Sequence, residues 1–160
     1  MFQIPEGAFL VEGLTPQIGA AAAVTGDYIS LKNAQMAWVV IMYNQGDATD
    51  ITWHVNRATA VAPTGAAVLA NVVPIWSNLA CATNDTLVRR TDAVNYASGT
   101  GQTHKIIVFQ IDPANLGSTY DVICGASTTA IAATSTVSIL YVIKPKFSSK
   151  VADQLSFVTD

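Results

Sequence analysis

The run Ala37-Trp38-Val39-Val40-Ile41-Met42-Tyr43 constrains this chain most. It is apolar at every position, rich in β-branched residues, and closed by Asn44-Gln45-Gly46-Asp47, a set of turn formers. A membrane-spanning helix takes roughly 20 apolar residues. This run is far shorter and has the length and composition of a strand. Side chains alternate between the two faces of a sheet, so a strand apolar at both parities is expected in a central place, covered on both sides.

The next segment has the other β signature. Ile51, Trp53 and Val55 alternate with Thr52, His54 and Asn56, the period of a half-buried strand. With the turn between them, the two segments predict a hairpin. Further short runs read as strands: 27–31, 71–76, 86–90, 105–111, 121–124 and 137–143. Pro74 puts its segment at an edge or a strand end, because proline has no N–H for a ladder. Residues 59–70 are Ala-rich, but Pro63 and Gly65 oppose a helix, so a loop with one helical turn is expected. Asp112-Pro113 is an N-cap followed by proline and predicts one short helical turn. Ser98-Gly99-Thr100-Gly101-Gln102 reads as a loop tip.

About eight strands separated by turns make the chain all-β. The expected architecture is a single-domain antiparallel β-sandwich, jelly-roll or barrel-like, with extended terminal arms. The divisions are 1–26, an N-terminal arm and first strand; 27–143, the β domain; and 144–160, a C-terminal tail.

Charge is scarce. Only 12% of residues are charged and 51% are hydrophobic, with a mean hydropathy of +0.37; a typical domain carries about 25% charged residues. Such a chain is expected to hide surface against another protein. The net charge is -3 and the eight Lys and Arg are scattered, with Arg89-Arg90 the adjacent basic pair. That pair reads as a solvated strand end or an intersubunit ion pair before a phosphate contact. No nucleic-acid or membrane partner is expected. The start, Met1-Phe2-Gln3-Ile4-Pro5-Glu6-Gly7, has no basic segment before an apolar one, so cytoplasmic synthesis is the expectation.

Candidate chemistry is thin. Cys81 and Cys124 read as buried or half-buried thiols, with a disulfide the alternative. His54 and His104 lie in no metal-ligand spacing, and no nucleophile-elbow, phosphate-loop or paired-carboxylate pattern is present. Cys124-Gly125-Ala126-Ser127 is read as a strand followed by a glycine turn. Asp47 and Asp50 flank a turn, where aspartate is common for backbone reasons. No catalytic residue, metal or cofactor is expected. Trp38 and Trp53 are assigned to the core, and Trp76 is the candidate for an exposed anchor.

Five segments carry a resemblance: Ile4-Pro5-Glu6-Gly7-Ala8-Phe9-Leu10-Val11-Glu12, Asp27-Tyr28-Ile29-Ser30-Leu31-Lys32-Asn33, Val73-Pro74-Ile75-Trp76-Ser77-Asn78, Asp85-Thr86-Leu87-Val88-Arg89 and Val108-Phe109-Gln110-Ile111-Asp112-Pro113. Together the sequence resembles small virion structural proteins of tailed bacteriophages. The resemblance implies a capsid decoration, or cement, protein on the outer surface of the virion. It implies two partners, the major capsid protein and the chain itself as a homo-oligomer, a trimer. Contacts are then expected from the ends and loops, at Ile4, Phe9, Leu10, Trp76, Arg89, Arg90, Lys144 and Phe147. The alternatives are a minor head, neck or tail protein, or a surface carbohydrate-binding β-sandwich.

Overall fold

A computed structural model describes residues 7–147. It contains eleven strands: β1 Phe9–Ile18, β2 Ile29–Ser30, β3 Ala34–Asn44, β4 Thr52–Ala58, β5 Ala67–Val68, β6 Ile75–Asn78, β7 Val88–Arg89, β8 Asn95–Ala97, β9 His104–Ile111, β10 Val122–Ser127 and β11 Thr136–Pro145. One 3-10 turn, Pro113–Leu116, begins where Asp112 accepts a hydrogen bond from the Ala114 N–H.

The strands form two antiparallel sheets. One has six strands in the order β1-β11-β3-β9-β6-β7. The other has the order β2-β10-β4-β5, with β8 also paired to β4. The fold is therefore an all-β sandwich whose sheets remain open, and the barrel alternative does not apply. Residues 9–18, which the sequence divided between an arm and a first strand, pair with β11 along its length. The register shifts around Gly13, where a Cβ would stand 2.3 Å from the Tyr141 ring.

Between the sheets lies one core. Val39, Ile41, Phe109, Ile139 and Tyr141 of the large sheet meet Trp53, Val55 and Ile123 of the small one. Trp53 is fully buried and meets Tyr43 edge to face, with ring centroids 5.4 Å apart. This placement agrees with the sequence assignment of Trp53 to the core.

Three sequence expectations are corrected. First, β3 and β4 do not form a hairpin, because they belong to opposite sheets. The Asn44–Asp47 segment is held as a crossover: Gln45 is buried, its Oε1 accepts from Lys105 Nζ at 2.5 Å, and the Gly46 N–H donates to Ser135 Oγ at 2.9 Å. Second, Gly125 is not a turn residue; it lies within β10. A Cβ there would sit 2.8 Å from Val39 Cγ1, so glycine lets the two sheets approach. Third, the Ala-rich stretch 59–70 carries the short strand β5 and no helical turn.

Candidate docking face

Alternation fixes which residues of the six-stranded sheet leave the core. In β3, Ala37, Val39, Ile41 and Tyr43 point inward and are buried. Trp38, Val40 and Met42 therefore point outward. Trp38 and Val40 are half-buried and Met42 is 42% exposed. This corrects the assignment of Trp38 to the core and of β3 to a strand covered on both sides. In an antiparallel sandwich one face of each sheet needs no cover, and among the described residues none of the second sheet's strands packs on this outer side.

Strand register assembles the outward residues into rows. One row runs across all six strands: Glu12, Leu140, Val40, Val108, Trp76 and Arg89. Its four central members are apolar, with Leu140, Val40 and Trp76 half-buried and Val108 only 8% exposed, and its two ends are an acid and a base. The row above joins Leu10, Val142, Trp38 and Gln110. The row below joins Ser138, Met42, Ile106 and Asn78. Leu10 is 51% exposed. At the lower end the face becomes concave, walled by Pro16, Asn44, Cys81 and His104. Leu10 and Met42 are the exposed apolar members; Trp38, Val40, Ile106, Leu140, Val142 and Trp76 are half-buried, and Val108, Ser138 and Asn78 are buried. An apolar sheet face of this kind is suited to contact with another protein surface.

The outer side of the small sheet has a different character. His54 and Cys124 lie there, both buried, beside Asn56 of β4. Burial pushes the His54 imidazole below its usual value and the Cys124 thiol up to about 12. The thiol donates to the Gly26 carbonyl at 3.2 Å. A protonated thiol is a poor nucleophile, so Cys124 acts as a packing residue. Cys81 is half-buried, and both cysteines are free thiols.

The expected contact residues divide by position. Trp76 and Arg89 are brought together: the guanidinium lies over the indole at 4.7 Å. That cation occupies one face of the ring a carbohydrate platform would need open. Arg89 also pairs with Asp92 and donates to the Ile75 and Arg90 carbonyls. Leu10 shares the outer face with them. Arg90 is turned away, its Nε donating to Ser77 Oγ at 2.8 Å. Phe9 packs against the core. Lys144 lies exposed near the end of β11, and Phe147 beyond it is 75% exposed. Ile4 lies outside the described residues.

The remaining polar candidates serve loops. Asp47 accepts from the Thr49 N–H and hydroxyl, and Asp50 accepts from the Gly99 N–H at 2.7 Å. Lys105, only 2% exposed, gives its ammonium hydrogens to Gln45 Oε1, the Ser98 carbonyl at 2.7 Å and the Gly99 carbonyl at 3.2 Å. Burial lowers its pKa, and nearby Asp50 opposes that shift. Among the described residues no group of three or more His, Cys, Asp or Glu could hold a metal ion, and no helix is long and apolar enough to cross a membrane.

Val40, Leu140 and Val142 escaped the sequence reading as contact residues. The signal lies in β3, whose apolar residues at both parities predict cover on both sides, and in the apolar residues of 137–143.

Comparison with solved structures adds likeness of shape at low identity. The SPBc2 prophage-derived protein YomS shares 8% identity over 85% of this chain and 91% of its own, with a TM-score of 0.46. The Tobacco streak virus coat protein shares 11% identity over 97% of this chain and 99% of its own, with a TM-score of 0.34. Both scores lie below the level at which shape carries a functional argument. Neither a protein-family model nor a curated protein matches the sequence.

Proposed function

We propose that this chain is a virion structural protein of a tailed phage, and specifically a capsid decoration protein. The observation that carries the reading is the uncovered apolar face of the six-stranded sheet, with Trp76 and Arg89 at one side. Such a face is suited to permanent contact with protein and offers little to a small substrate. The resemblance supplies the virion, since its segments include β6, all of β7 and the second half of β9. Under this reading the chain has no catalytic role, and its partners are the major capsid protein and further copies of itself. Many identical weak contacts become strong once a lattice fixes the subunits.

The test is to add the purified chain to phage heads that lack it and to image them by cryo-electron microscopy. Decoration predicts density at repeated positions on the outer shell, in copy number comparable to the major capsid protein. Density confined to the neck or tail, or no binding to heads, overturns it.

A further inference from the structure

We infer that the outer face of the six-stranded sheet is covered by the same face of a second copy of this chain, the two related by a two-fold axis parallel to the strands. The inference does not rest on the capsid reading, but it concerns the same face: it assigns that face to a second copy, so a capsid contact would have to use the loops and sheet edges that the dimer leaves open.

The register is self-complementary about one axis. The six-stranded order β1-β11-β3-β9-β6-β7 has its midline between β3 and β9. A two-fold axis along that midline lays β3 over β9 of the second copy, β11 over β6, and β1 over β7. Within the long row, Val40 then faces Val108 of the second copy, and Leu140 faces Trp76. In the row below, Met42 faces Ile106. At the rim, Glu12 faces Arg89 of the second copy, and the reciprocal pair forms at the other rim. Each contact occurs twice, as an isologous interface requires.

The alternative in-plane axis runs across the strands. It sets Glu12 against Glu12 and Arg89 against Arg89, and like charges face to face oppose association. Either axis keeps the strands of the two copies aligned, as in stacked sheets generally, so the rim charges decide between them. Arg89 has capacity for the extra carboxylate. A guanidinium carries five N–H donors. Nη1 is used on the Ile75 and Arg90 carbonyls and one Nη2 hydrogen on Asp92, which leaves Nε and the other Nη2 hydrogen.

The extent of the face is adequate. Six strands at about 4.8 Å spacing, four of them eight or more residues long and β6 and β7 shorter, cover roughly 600 Å² in projection. A stable interface takes about 800 Å² of accessible surface from each partner, and accessible area exceeds projected area. An isologous contact closes at two copies, so it differs from the trimer that the resemblance implies.

Sedimentation velocity over a dilution series of the purified full chain, with no capsid present, tests this. The expected species is a dimer. Met42→Glu, at a position already 42% exposed in one copy, should weaken dimerisation at least about 30-fold, the scale of a central interface residue, while the unfolding midpoint measured below the dissociation range stays unchanged. Glu12→Arg should weaken it by about 5-fold or more, and Glu12→Arg combined with Arg89→Glu should recover most of that loss. A monomer or trimer at every concentration overturns the inference, as does a dimer indifferent to Met42→Glu. A chain that becomes dimeric only after removal of residues 148–160 also overturns it, and identifies that segment as the cover. Failure to bind phage heads would overturn the capsid reading and leave the dimer untouched.

Discussion

Gly125→Ala tests how closely the two sheets approach. The added Cβ would lie 2.8 Å from Val39 Cγ1 and 3.3 Å from Ile139 Cγ2. Comfortable carbon contacts are about 3.5–4.0 Å, so one sheet must move outward by most of an ångström or Val39 must rotate. Val39 is fully buried and β-branched, which leaves it little rotational freedom. Overpacking of this kind costs about 1–3 kcal/mol. Gly125 is not among the residues of positive φ, so alanine also returns about 0.4–1 kcal/mol by restricting the unfolded chain. The net loss is about 1–2 kcal/mol, a fall of roughly 2–8 °C in Tm for a chain of this length. Urea and thermal unfolding measure it, with Gly101→Ala as the control, because nothing lies within 4 Å of a Cβ at that position. Val39→Ala removes the obstructing methyl. The double variant should therefore be more stable than the sum of the single losses, by about 1 kcal/mol. A Gly125→Ala chain as stable as the parent, with no coupling to Val39→Ala, would refute the close approach of β10 to β3.

Two further perturbations test the polar parts of the fold. Lys105→Met keeps the length of the side chain but removes the donor of the Ser98 carbonyl and leaves Gln45 Oε1 only the longer bond from Ser98 Oγ at 3.5 Å; a loss of about 1–3 kcal/mol in urea unfolding is expected, and no loss would mean that the crossover loop is held by other contacts. Burial places the His54 pKa in the folded chain below the ordinary 6.5, so over the pH range just under 6.5 the unfolded chain binds the extra proton. Stability should therefore rise with pH through that window and fall on acidification. In His54→Gln the difference in unfolding free energy between pH 5 and pH 7.5 should shrink, and an unchanged difference would show that other groups set the acid limit.

The β class was legible because its signal is local. Alternation in 51–56, branched residues in 105–111 and the proline-marked turn at 112–113 each act over a few residues. Pro74 points to an edge strand or a strand end, since a missing N–H is a property of the residue itself; it lies just before β6, an interior strand, so the second of the two applies. The hairpin failed for a reason that is not local. Asn44–Asp47 has the composition of a tight turn, but Gln45 is drawn into the interior by Lys105, which is sixty residues away, and the chain crosses to the other sheet. Gly125 misled in the same way: its need for no side chain comes from Val39 and Ile139 in the facing sheet.

The charge deficit, the all-β class and the strong strands were determined by the sequence alone, because composition and two-residue periodicity do not depend on what lies opposite. The sequence could say that β3 is apolar on both sides; it could not say which side meets the core. Only pairing order decided that, by setting Trp38, Val40 and Met42 on the uncovered face. Pairing order also placed Glu12 and Arg89, far apart in sequence, at the two ends of one row. Register between distant strands is fixed by turns, bulges and packing acting together, so a surface assembled from five or six strands is a property of tertiary structure.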